Sequence, residues 1–564
     1  MTLQKEVVSP FFHRNDREKM DEEEQYREAL DKERGDEGTG DEGTERRVDT
    51  VSEPLVIDFE GLANRIVHLP IPDGNYYNLA SPAEGQLLYI ARGEEKSTLQ
   101  HYSLEDREAN ELIPANGFVV TADGEKLFVN SYGRWGVTSL AQPTLEDLKS
   151  PDDYGLAVKI DPPAEWRNIF DEMWRVNRDY FYDPNMHGVD WEAMREKYEP
   201  FLADVKTSED LYRVMEWMGS ELGVGHHRFG SQVEPLREAE TVPGGLLGAD
   251  YEIANGRYRF KKIYGGLNWN GDLFSPLTEP GVNVNEGDYL LAVNGEELTG
   301  DDNLYRLFER TVGKIVTLTV GPNADGSNSR TEKVTPIEDE YALRNRDWVE
   351  GNLQKVNEAT DGRAAYVYVP NTGGGGFEYF KRYFFPQVDK DAIIVDERFN
   401  GGGQIADYYI ELLMRPYQNS WTYRYGQDQH APVASIQGPK VLLIDETAGS
   451  GGDLFPYLWR QNELGPMIGK RTWGGLVGVL GFPEFIDGGS VTAPNVAFWD
   501  ENGYRVENEG VAPDIVVEQY PKEVMAGRDP QLERAIAEIL RQLEETPVVV
   551  PERPDFETRG RARF

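Results

Sequence analysis

The stretch "PKVLLIDETAGSGGDLFPY", residues 439–457, decides the fold class of this chain. Its short apolar run "KVLLI" is typical of a buried strand, and the residues after Ser450 predict a helix from about Gly452. A strand–turn–helix unit would place the Ser450 hydroxyl near the amide-rich end of that helix, where negative charge is stabilised. Ser450 is therefore a candidate nucleophile, or alternatively a small residue in a tight glycine turn. The hydrolase elbow G-x-S-x-G is absent, because Ala448 occupies its first glycine position.

The surrounding sequence repeats this alternation of strand and helix. The runs "AAYVYV", "DAIIVDER" and "KVLLID" predict buried strands, and "GFEYFKRYFF", "IADYYIELLMRPY" and "DPQLERAIAEILRQLEE" predict helices between or after them. Apolar strands flanked by helices indicate a largely parallel sheet. We therefore predict an α/β catalytic core over residues 345–545, followed by a loose tail over residues 546–564.

The rest of the chain predicts four further segments, so the protein is multidomain. Residues 1–50 are expected to form an acidic, mostly disordered segment that includes the start of a propeller strand. Residues 51–150 carry short, evenly spaced strands of propeller-blade type. Residues 160–240 have apolar residues at helical spacing, and residues 243–340 return to strands, with one helix predicted over "DNLYRLFER".

Composition excludes several classes of function. The formal net charge of -42 opposes binding to nucleic acid and to anionic membranes, whereas it attracts basic peptides. With no cysteine, the chain has no disulfide, no thiolate nucleophile and no cysteine metal site. The sequence shows no signal peptide and no apolar run long enough to span a membrane, so we expect a cytoplasmic protein.

A second glycine run, "VDERFNGGGQ", also follows a predicted buried strand and opens a helix. It is a tight turn, a phosphate cradle or a set of backbone amides held close to a peptide carbonyl. Neither the dinucleotide spacing nor a Walker lysine is present, which argues against nucleotide binding and favours the amides. A serine nucleophile needs a base, and the candidates are the seven histidines of the chain: His13, His68, His101, His187, His226, His227 and His430. Of these, His226 and His227 lie in the loop "GSELGVGHHRFG" at a helix end, which is a natural place to present a side chain to another domain. Spacing alone does not choose between them.

Taken together, the motifs resemble one family, the tricorn core proteases, which are relatives of the carboxyl-terminal processing proteases. The matching stretches occur in the family's order from about residue 9 to residue 520: "SPFFHRND", "ELGVGHH", "GGLLGADYEI", "EPGVNVNEGDYLLAVNG", "DERFNGGG", "AGSGGDLFPY", "GKRTWGGLVG", "IDGGSVTAP" and "VENEGVAPDI". The resemblance implies a serine peptidase with a ClpP/crotonase-like core, needing neither metal nor cofactor.

The resemblance also implies roles for individual residues. Ser450 of "AGSGGD" becomes the nucleophile, and His226 of "GVGHH" becomes the general base, with His227 as the alternative. Glu507 of "VENEG" becomes the acidic partner of the histidine, with Glu509 as the alternative. The oxyanion donors implied by the resemblance are the backbone N–H groups of Gly451 and Gly402.

Two positions depart from related patterns. Some tricorn proteins have a serine before the histidine, where this chain has Gly225, and the processing proteases have a catalytic lysine near Gly475. The absence of that lysine favours a histidine base. Residues 243–340 resemble a PDZ domain, whose carboxylate-binding loop would be Gly245, Leu246, Leu247 and Gly248. The alternative role for this domain is a spacer between the catalytic halves.

The resemblance further implies peptide substrates and a homo-oligomer, which is a hexamer in the family. Tricorn proteases have two propellers, of which residues 51–150 hold only a couple of blades. We expect an N-terminally truncated member, either a fragment or a chain whose missing blades come from a second polypeptide. A rival hypothesis is a catalytically inert, PDZ-containing protein that binds peptides or serves assembly.

Overall fold

The computed structural model of the chain describes residues 57–66, 68–93, 96–150, 155, 159–230, 241–479, 481–482, 484–548, 551–557 and 560. The chain divides into two units, Met1–Ile160 and Asp161–Phe564. The acidic segment predicted for residues 1–50 lies outside the described residues.

The first unit contains two antiparallel sheets of the meander type that the strand spacing predicts. The first has the order β1-β2-β3-β4 and the second β5-β6-β7. Leu88 and Ile90 of the first sheet share an apolar core with Leu127 and Val129 of the second. The strands are β1 (Asn75–Ala80), β2 (Gln86–Arg92), β3 (Ser97–Ser103), β4 (Glu108–Pro114), β5 (Gly117–Val120), β6 (Lys126–Ser131) and β7 (Arg134–Ser139).

The second unit begins with three helices, α1 (Pro162–Tyr180), α2 (Trp191–Tyr198) and α3 (Ser208–Ser220). A capping box starts α3: the Thr207 hydroxyl accepts the N–H of Asp210, whose carboxylate accepts the Thr207 N–H. The apolar faces of the helices form one core that includes Ile169, Phe170, Met173, Leu211, Met215 and Met218. After α3, the short strand β8 (Phe229–Gly230) pairs with a strand of the α/β core.

A PDZ-like sheet follows, with the order β14-β13-β11-β10-β9 and β12 paired to β11. Its strands are β9 (Ala249–Ala254), β10 (Arg257–Ile263), β11 (Tyr289–Val293), β12 (Glu296–Glu297), β13 (Val316–Gly321) and β14 (Arg330–Val334). The helix predicted over "DNLYRLFER" is wrong in extent, because only Leu304–Phe308 is helical and it is a 3₁₀ helix. The chain beyond it is drawn into pairing, since Arg310 donates its N–H to the carbonyl of Pro243.

The α/β core confirms the parallel sheet that the sequence predicts. Five strands run parallel in the order β15-β16-β19-β20-β26. The strands of this region are β15 (Ala364–Tyr368), β16 (Ala392–Asp396), β17 (Asn419–Trp421), β18 (Gln429–Ala431), β19 (Lys440–Ile444), β20 (Met467–Gly469), β21 (Gly478–Val479), β22 (Ser490–Val491), β23 (Pro494–Val496), β24 (Trp499–Asp500), β25 (Gly503–Tyr504) and β26 (Ile515–Val516).

Helices cover both faces of this sheet. They are α4 (Tyr341–Ala359), α5 (Gly374–Phe384), α6 (Ala406–Met414), α7 (Gly451–Gln461) and, after a short helix α8 (Pro521–Met525) that has no buried residue, α9 (Pro530–Glu545). Alternate residues of β15 serve the two faces: Val367 packs in the core with α5, α6 and α7, whereas Tyr366 packs in the core with α4 and α9. Shorter 3₁₀ turns occur at Leu62–Arg65, Leu145–Asp147, Met186–Gly188, Glu199–Ala203, Gly271–Leu273, Pro276–Thr278 and Phe385–Gln387.

The two glycine runs meet because of this topology. Strands β16 and β19 are parallel neighbours, so the loops after their carboxyl ends lie at the same edge of the sheet. Asp445, the first residue after β19, ties the loops together. Its carboxylate accepts the N–H of Phe399 at 3.1 Å from one loop and the N–H of Ala448 at 2.9 Å from its own.

Candidate active site

Ser450 lies immediately before α7, in a backbone conformation that non-glycine residues rarely adopt. Its φ is 59° and its ψ is -115°. Asp453 stabilises this strained conformation, because its carboxylate accepts the Ser450 N–H at 2.9 Å. Gly451 is the first residue of α7, so its N–H has no carbonyl within the helix to pair with. The amide predicted as an oxyanion donor is thus at the helix N-terminus beside Ser450.

The "NGGG" turn packs directly against Ser450. Gly402 has φ +86°, and a Cβ on it would lie 2.8 Å from the Ser450 Cβ, so a side chain there is excluded. The N–H of Gly402, however, is donated to the side-chain oxygen of Asn400 at 2.9 Å. The prediction of Gly402 as a free oxyanion donor therefore needs correction. Within the described residues, the N–H of the following Gly403 makes no hydrogen bond.

His226 lies on the loop after α3, with its ring 5.1 Å from the ring of Trp473 in an edge-to-face arrangement. The same Trp473 packs on the nucleophile loop, because a Cβ on Gly449 would lie 2.6 Å from its indole ring. Burial lowers the pKa of His226, and the charge of Arg228 lowers it further, against the opposing fields of Glu507 and Asp453. The imidazole is therefore neutral at pH 7, as a general base must be.

His227 faces away from this site and into the helical domain. Its Nδ1 lies 3.2 Å from the carbonyl oxygen of Gly219, and its ring packs against Phe229. Burial lowers the pKa of His227 to about 4. Of the two histidines, His226 contacts the tryptophan that packs on the nucleophile loop, whereas His227 packs within the helical domain.

Glu507 is held by three backbone amides. Its carboxylate accepts the N–H of Gly225 at 2.7 Å, of Leu476 at 2.7 Å and of Val477 at 2.8 Å. Gly225 immediately precedes His226, so the carboxylate lies at the base of the histidine loop. It does not reach the imidazole, because Nδ1 of His226 is buried without a hydrogen-bond partner among the described residues. The alternative acid, Glu509, is exposed.

Gly225 and Gly475, the two positions at which this chain differs from related proteases, lie close together. A Cβ on Gly225 would lie 3.1 Å from the Cα of Gly475, 3.3 Å from a carboxylate oxygen of Glu507 and 3.4 Å from the Trp473 ring. A Cβ on Gly475 would lie 2.4 Å from the same ring. The Trp473 indole thus fills the space beside Gly475 where a larger side chain would have to go.

Sequence reasoning missed Asp453, which is fully buried and joins two loops of the site. Besides the Ser450 amide, its carboxylate accepts the N–H of Gly474 at 2.8 Å and of Gly475 at 3.1 Å. A signal was available, because an acid three residues after a serine is the capping-box pattern at a helix start. Asn508 was also missed; its side-chain amide donates to the Gly223 carbonyl at 2.7 Å and fastens the histidine loop.

The PDZ-like loop differs from its prediction. Gly245 donates its N–H to Phe308, Leu246 donates to Ile337, and Gly248 donates to the carboxylate of Glu340 at 2.7 Å. The cavity beside this loop, which also touches Leu247, measures about 20 Å³. Three of the four backbone N–H groups of this loop are therefore already paired, and the cavity leaves little room for a peptide carboxylate. The peptide-binding role of these residues stays a prediction that this geometry does not favour.

Among the described residues, no group of three or more His, Asp or Glu side chains could hold a metal ion. Over the same ranges, no helix has the length and apolar character needed to cross a membrane.

A serine at a strained helix N-terminus and a neutral histidine from another domain are the parts from which acyl-enzyme chemistry is built. Trp473 contacts the histidine ring and also packs on Gly449, the residue before the serine. By its fold, the chain is a multidomain protein in which an α/β core is joined to a helical region and a PDZ-like sheet. Three family models match consecutive segments of the chain: the tricorn protease C1 domain over residues 162–219, the tricorn protease PDZ domain over 245–339 and peptidase family S41 over 363–517. The chain belongs to the tricorn protease family.

Individual relatives agree with this assignment. "Tricorn protease homolog 1" of Streptomyces coelicolor is 33% identical over 518 residues, which cover 88% of this chain and 48% of that protein. The "Putative Tricorn-like protease C-terminal subunit" of Sulfurisphaera tokodaii is 33% identical over 87% of this chain and 58% of its own length. The crystal structure of the tricorn protease matches with a TM-score of 0.71 and 27% identity, over 88% of this chain and 50% of that one. The chain thus spans about half the length of these relatives.

Proposed function

We propose that this chain is a serine peptidase that hydrolyses short peptides or unfolded polypeptide segments through an acyl-enzyme. The observation that carries the proposal is that Trp473 has two contacts. It packs on the nucleophile loop at Gly449, and its ring lies against the ring of His226 on the histidine loop. One indole therefore contacts both the loop that carries Ser450 and the His226 ring, although the two come from different domains.

In the proposed mechanism, the Ser450 hydroxyl attacks the peptide carbonyl while His226 takes its proton. The Glu507 carboxylate favours the imidazolium that forms, because its field raises the pKa of His226 against the dominant effect of burial. The Gly451 N–H at the start of α7 and an amide of the "NGGG" turn stabilise the oxyanion. His226 then gives the proton to the leaving amine, and water hydrolyses the acyl ester with His226 again acting as base.

Substrate preference follows from charge. A chain with a formal net charge of -42 attracts basic peptides and repels acidic ones. An extended peptide binds mainly through its backbone, which permits many sequences. We therefore propose an endopeptidase or oligopeptidase with a preference for basic side chains. The cytoplasmic location, the hexameric assembly and a second polypeptide carrying propeller blades stay predictions, which cell fractionation and sedimentation of the purified chain would test.

A second candidate is a catalytically inert assembly or peptide-binding protein. Two observations favour it: Nδ1 of His226 has no hydrogen-bond partner among the described residues, and the Gly402 amide is occupied by Asn400. The PDZ-like loop, with little room beside it, does not favour peptide binding at that place.

The deciding experiment is hydrolysis of a fluorogenic peptide library by the purified chain, with Ser450→Ala as the matched control. We expect turnover that Ser450→Ala reduces by at least about 10³-fold. Equal turnover by both proteins would reveal a contaminating peptidase, and no turnover by the native chain on any peptide would favour the inert alternative.

A further inference from the structure

Asn400 lies fully buried between the two glycine loops of the site. Its side-chain oxygen accepts the Gly402 N–H at 2.9 Å, and its backbone carbonyl accepts the Gly449 N–H at 3.1 Å. Gly402 packs on the Cβ of Ser450, and Gly449 immediately precedes Ser450. Asn400 therefore holds the glycine turn from one side and the nucleophile loop from the other.

The fit around Asn400 leaves no room for adjustment. A Cβ on Gly452, in the first turn of α7, would lie 2.9 Å from the Asn400 carbonyl oxygen and 3.0 Å from its Cβ. Such distances are shorter than side-chain carbons tolerate, so the helix start rests directly on Asn400. A shift of Asn400 would move the turn, the loop and the helix relative to one another.

Behind Asn400 lies Glu397, a fully buried carboxyl group with an unusual environment. One of its oxygens accepts the side-chain N–H of Asn400 at 3.3 Å, and the other has no hydrogen-bond partner among the described residues. The charged groups that act on it are the carboxyls of Asp453, Asp445 and Asp396, and burial with these neighbours raises its pKa well above the ordinary range. An ionised carboxylate in this place would be uncompensated, so Glu397 is neutral.

Arg398, the cation that follows Glu397 in the sequence, does not form an ion pair with Glu397. Arg398 directs its guanidinium to Asp396 and, through two hydrogen bonds, to Asp529 at the start of α9. A neutral Glu397 retains one oxygen that accepts from Asn400, together with a proton on the other. Asn400 and a neutral Glu397 thus form an uncharged hydrogen-bonded pair, in which Asn400 also holds the glycine turn.

We propose that Asn400 is a positioning residue for the acylation step, held by a neutral Glu397, and that it sets the spacing between the glycine turn and Ser450 on which oxyanion stabilisation depends. The inference rests on the proposed serine-peptidase function, and it assigns to Asn400 and Glu397 a role beyond packing. Because this hydrogen-bonded pair acts on the transition state, its loss lowers kcat and leaves KM nearly unchanged.

The test compares four variants in the full chain: Asn400→Ala, Asn400→Asp, Glu397→Gln and the double variant Glu397→Gln with Asn400→Asp. The rate of Ser450 labelling by a fluorophosphonate and the kcat and KM for one peptide are measured, with thermal unfolding to establish that each variant is folded. We expect Asn400→Ala to lose about 10²-fold in both labelling rate and kcat, with KM changed less than about threefold.

The conservative variants separate positioning from simple packing. Asn400→Asp keeps the acceptor for Gly402 but replaces the side-chain amide that donates to Glu397 by a buried carboxyl group, whose charge burial disfavours, so we expect a loss of about 10²-fold. Glu397→Gln keeps a neutral group of the same shape and should retain activity within about threefold. In the double variant, the side-chain amide introduced at position 397 donates to the new carboxylate at position 400. This reverses the original hydrogen bond and should recover at least about tenfold over Asn400→Asp.

The outcomes are distinguishable from a failure of the proposed function. If the native chain takes up no label, the serine-peptidase proposal fails and this inference fails with it. If the native chain is labelled and a folded Asn400→Ala is labelled at the same rate, the positioning role is wrong while the peptidase proposal stands. A Glu397→Gln variant that loses as much as Asn400→Ala would also overturn the role of the uncharged pair. If Asn400→Ala does not fold, Asn400→Asp and the double variant decide by the same criteria.

Discussion

The carboxylate of Glu507 accepts the backbone N–H of Gly225 at 2.7 Å, across 282 residues of sequence. Gly225 immediately precedes His226, so the acidic partner is fastened to the histidine loop through the backbone and not through the imidazole. Two further amides, of Leu476 and Val477, hold the same carboxylate. Glu507 therefore fixes the position of the loop and places a negative charge near the base.

This arrangement makes Glu507 sensitive to a neutral replacement. A glutamine has only one acceptor oxygen, so Glu507→Gln would set an N–H group against at least one of the three backbone donors. We expect kcat/KM to fall by about 10³-fold, since the histidine loop shifts and the imidazolium loses its stabilising charge. Glu509→Gln is the matched control, because Glu509 is exposed, and should stay within about threefold of the native chain. Peptide hydrolysis measures both; a Glu507→Gln chain within about tenfold of native would remove Glu507 from the mechanism.

His227 should make stability depend on pH. Its pKa of about 4 in the folded protein lies below the ordinary 6.5, so the unfolded chain binds more protons between these values. Stability from this group is present above pH 6.5 and is lost as the pH falls toward 4. Between about pH 7 and pH 5 we expect the native chain to lose about 2 kcal/mol more than His227→Gln does, measured by urea unfolding. If the native chain and His227→Gln lost the same free energy of unfolding over this pH range, His227 could be protonated in the folded protein without a cost in stability.

Arg398 should be a large single contributor to the stability of the core. Its side chain is 2% exposed and joins Asp396 at the end of β16 to Asp529, the residue that caps α9. Arg398→Met leaves two buried acids without a cation, which should lower the free energy of unfolding by about 3–5 kcal/mol. The exposed Arg528, which pairs with two glutamates, is the control, and Arg528→Met should cost less than about 1 kcal/mol. Urea unfolding measures both variants. If Arg398→Met and Arg528→Met lowered the free energy of unfolding equally, the buried ion pairs of Arg398 would not contribute more than exposed ones.

The PDZ-like domain should not bind peptide C-termini. The Glu340 carboxylate accepts the Gly248 N–H and two hydrogen bonds from Arg344, so a carboxylate already occupies this part of the loop. Calorimetric titration with carboxyl-terminal and amidated peptides, using the Ser450→Ala chain to prevent cleavage, should give no difference between the two forms. Binding of the free-carboxylate peptide that is tighter by about tenfold or more would show that the loop opens.

Local pattern was enough to predict the architecture of the core. Apolar runs such as "KVLLI" and helical periodicity predicted the parallel sheet with its helices. The meeting of the two glycine loops, in contrast, was implied only by the family resemblance. The position of Ser450 at a helix N-terminus was likewise readable, because serine, glycines and Asp453 form a capping pattern.

The contacts that set the availability of backbone amides could not be predicted in this way. The Gly248 amide is taken by Glu340, 92 residues later, and the three amides on Glu507 come from two distant loops. Such pairs leave no periodic signal, since they depend on tertiary packing. The occupied Gly402 amide is local, but the same sequence allows Asn400 to point elsewhere. The family resemblance therefore implies which loops meet, and the structure shows which of their backbone N–H groups are already paired.

The central claim is that Ser450 is a nucleophile activated by His226, and covalent labelling tests it most directly. A fluorophosphonate forms a bond between its phosphorus and the Ser450 oxygen as fluoride leaves, and peptide mass spectrometry locates the adduct. We expect one adduct, on the peptide that contains Ser450, absent in Ser450→Ala and slowed by at least about 10³-fold in His226→Ala. A native chain that takes up no label, or an adduct on another residue that persists in Ser450→Ala, would contradict the account.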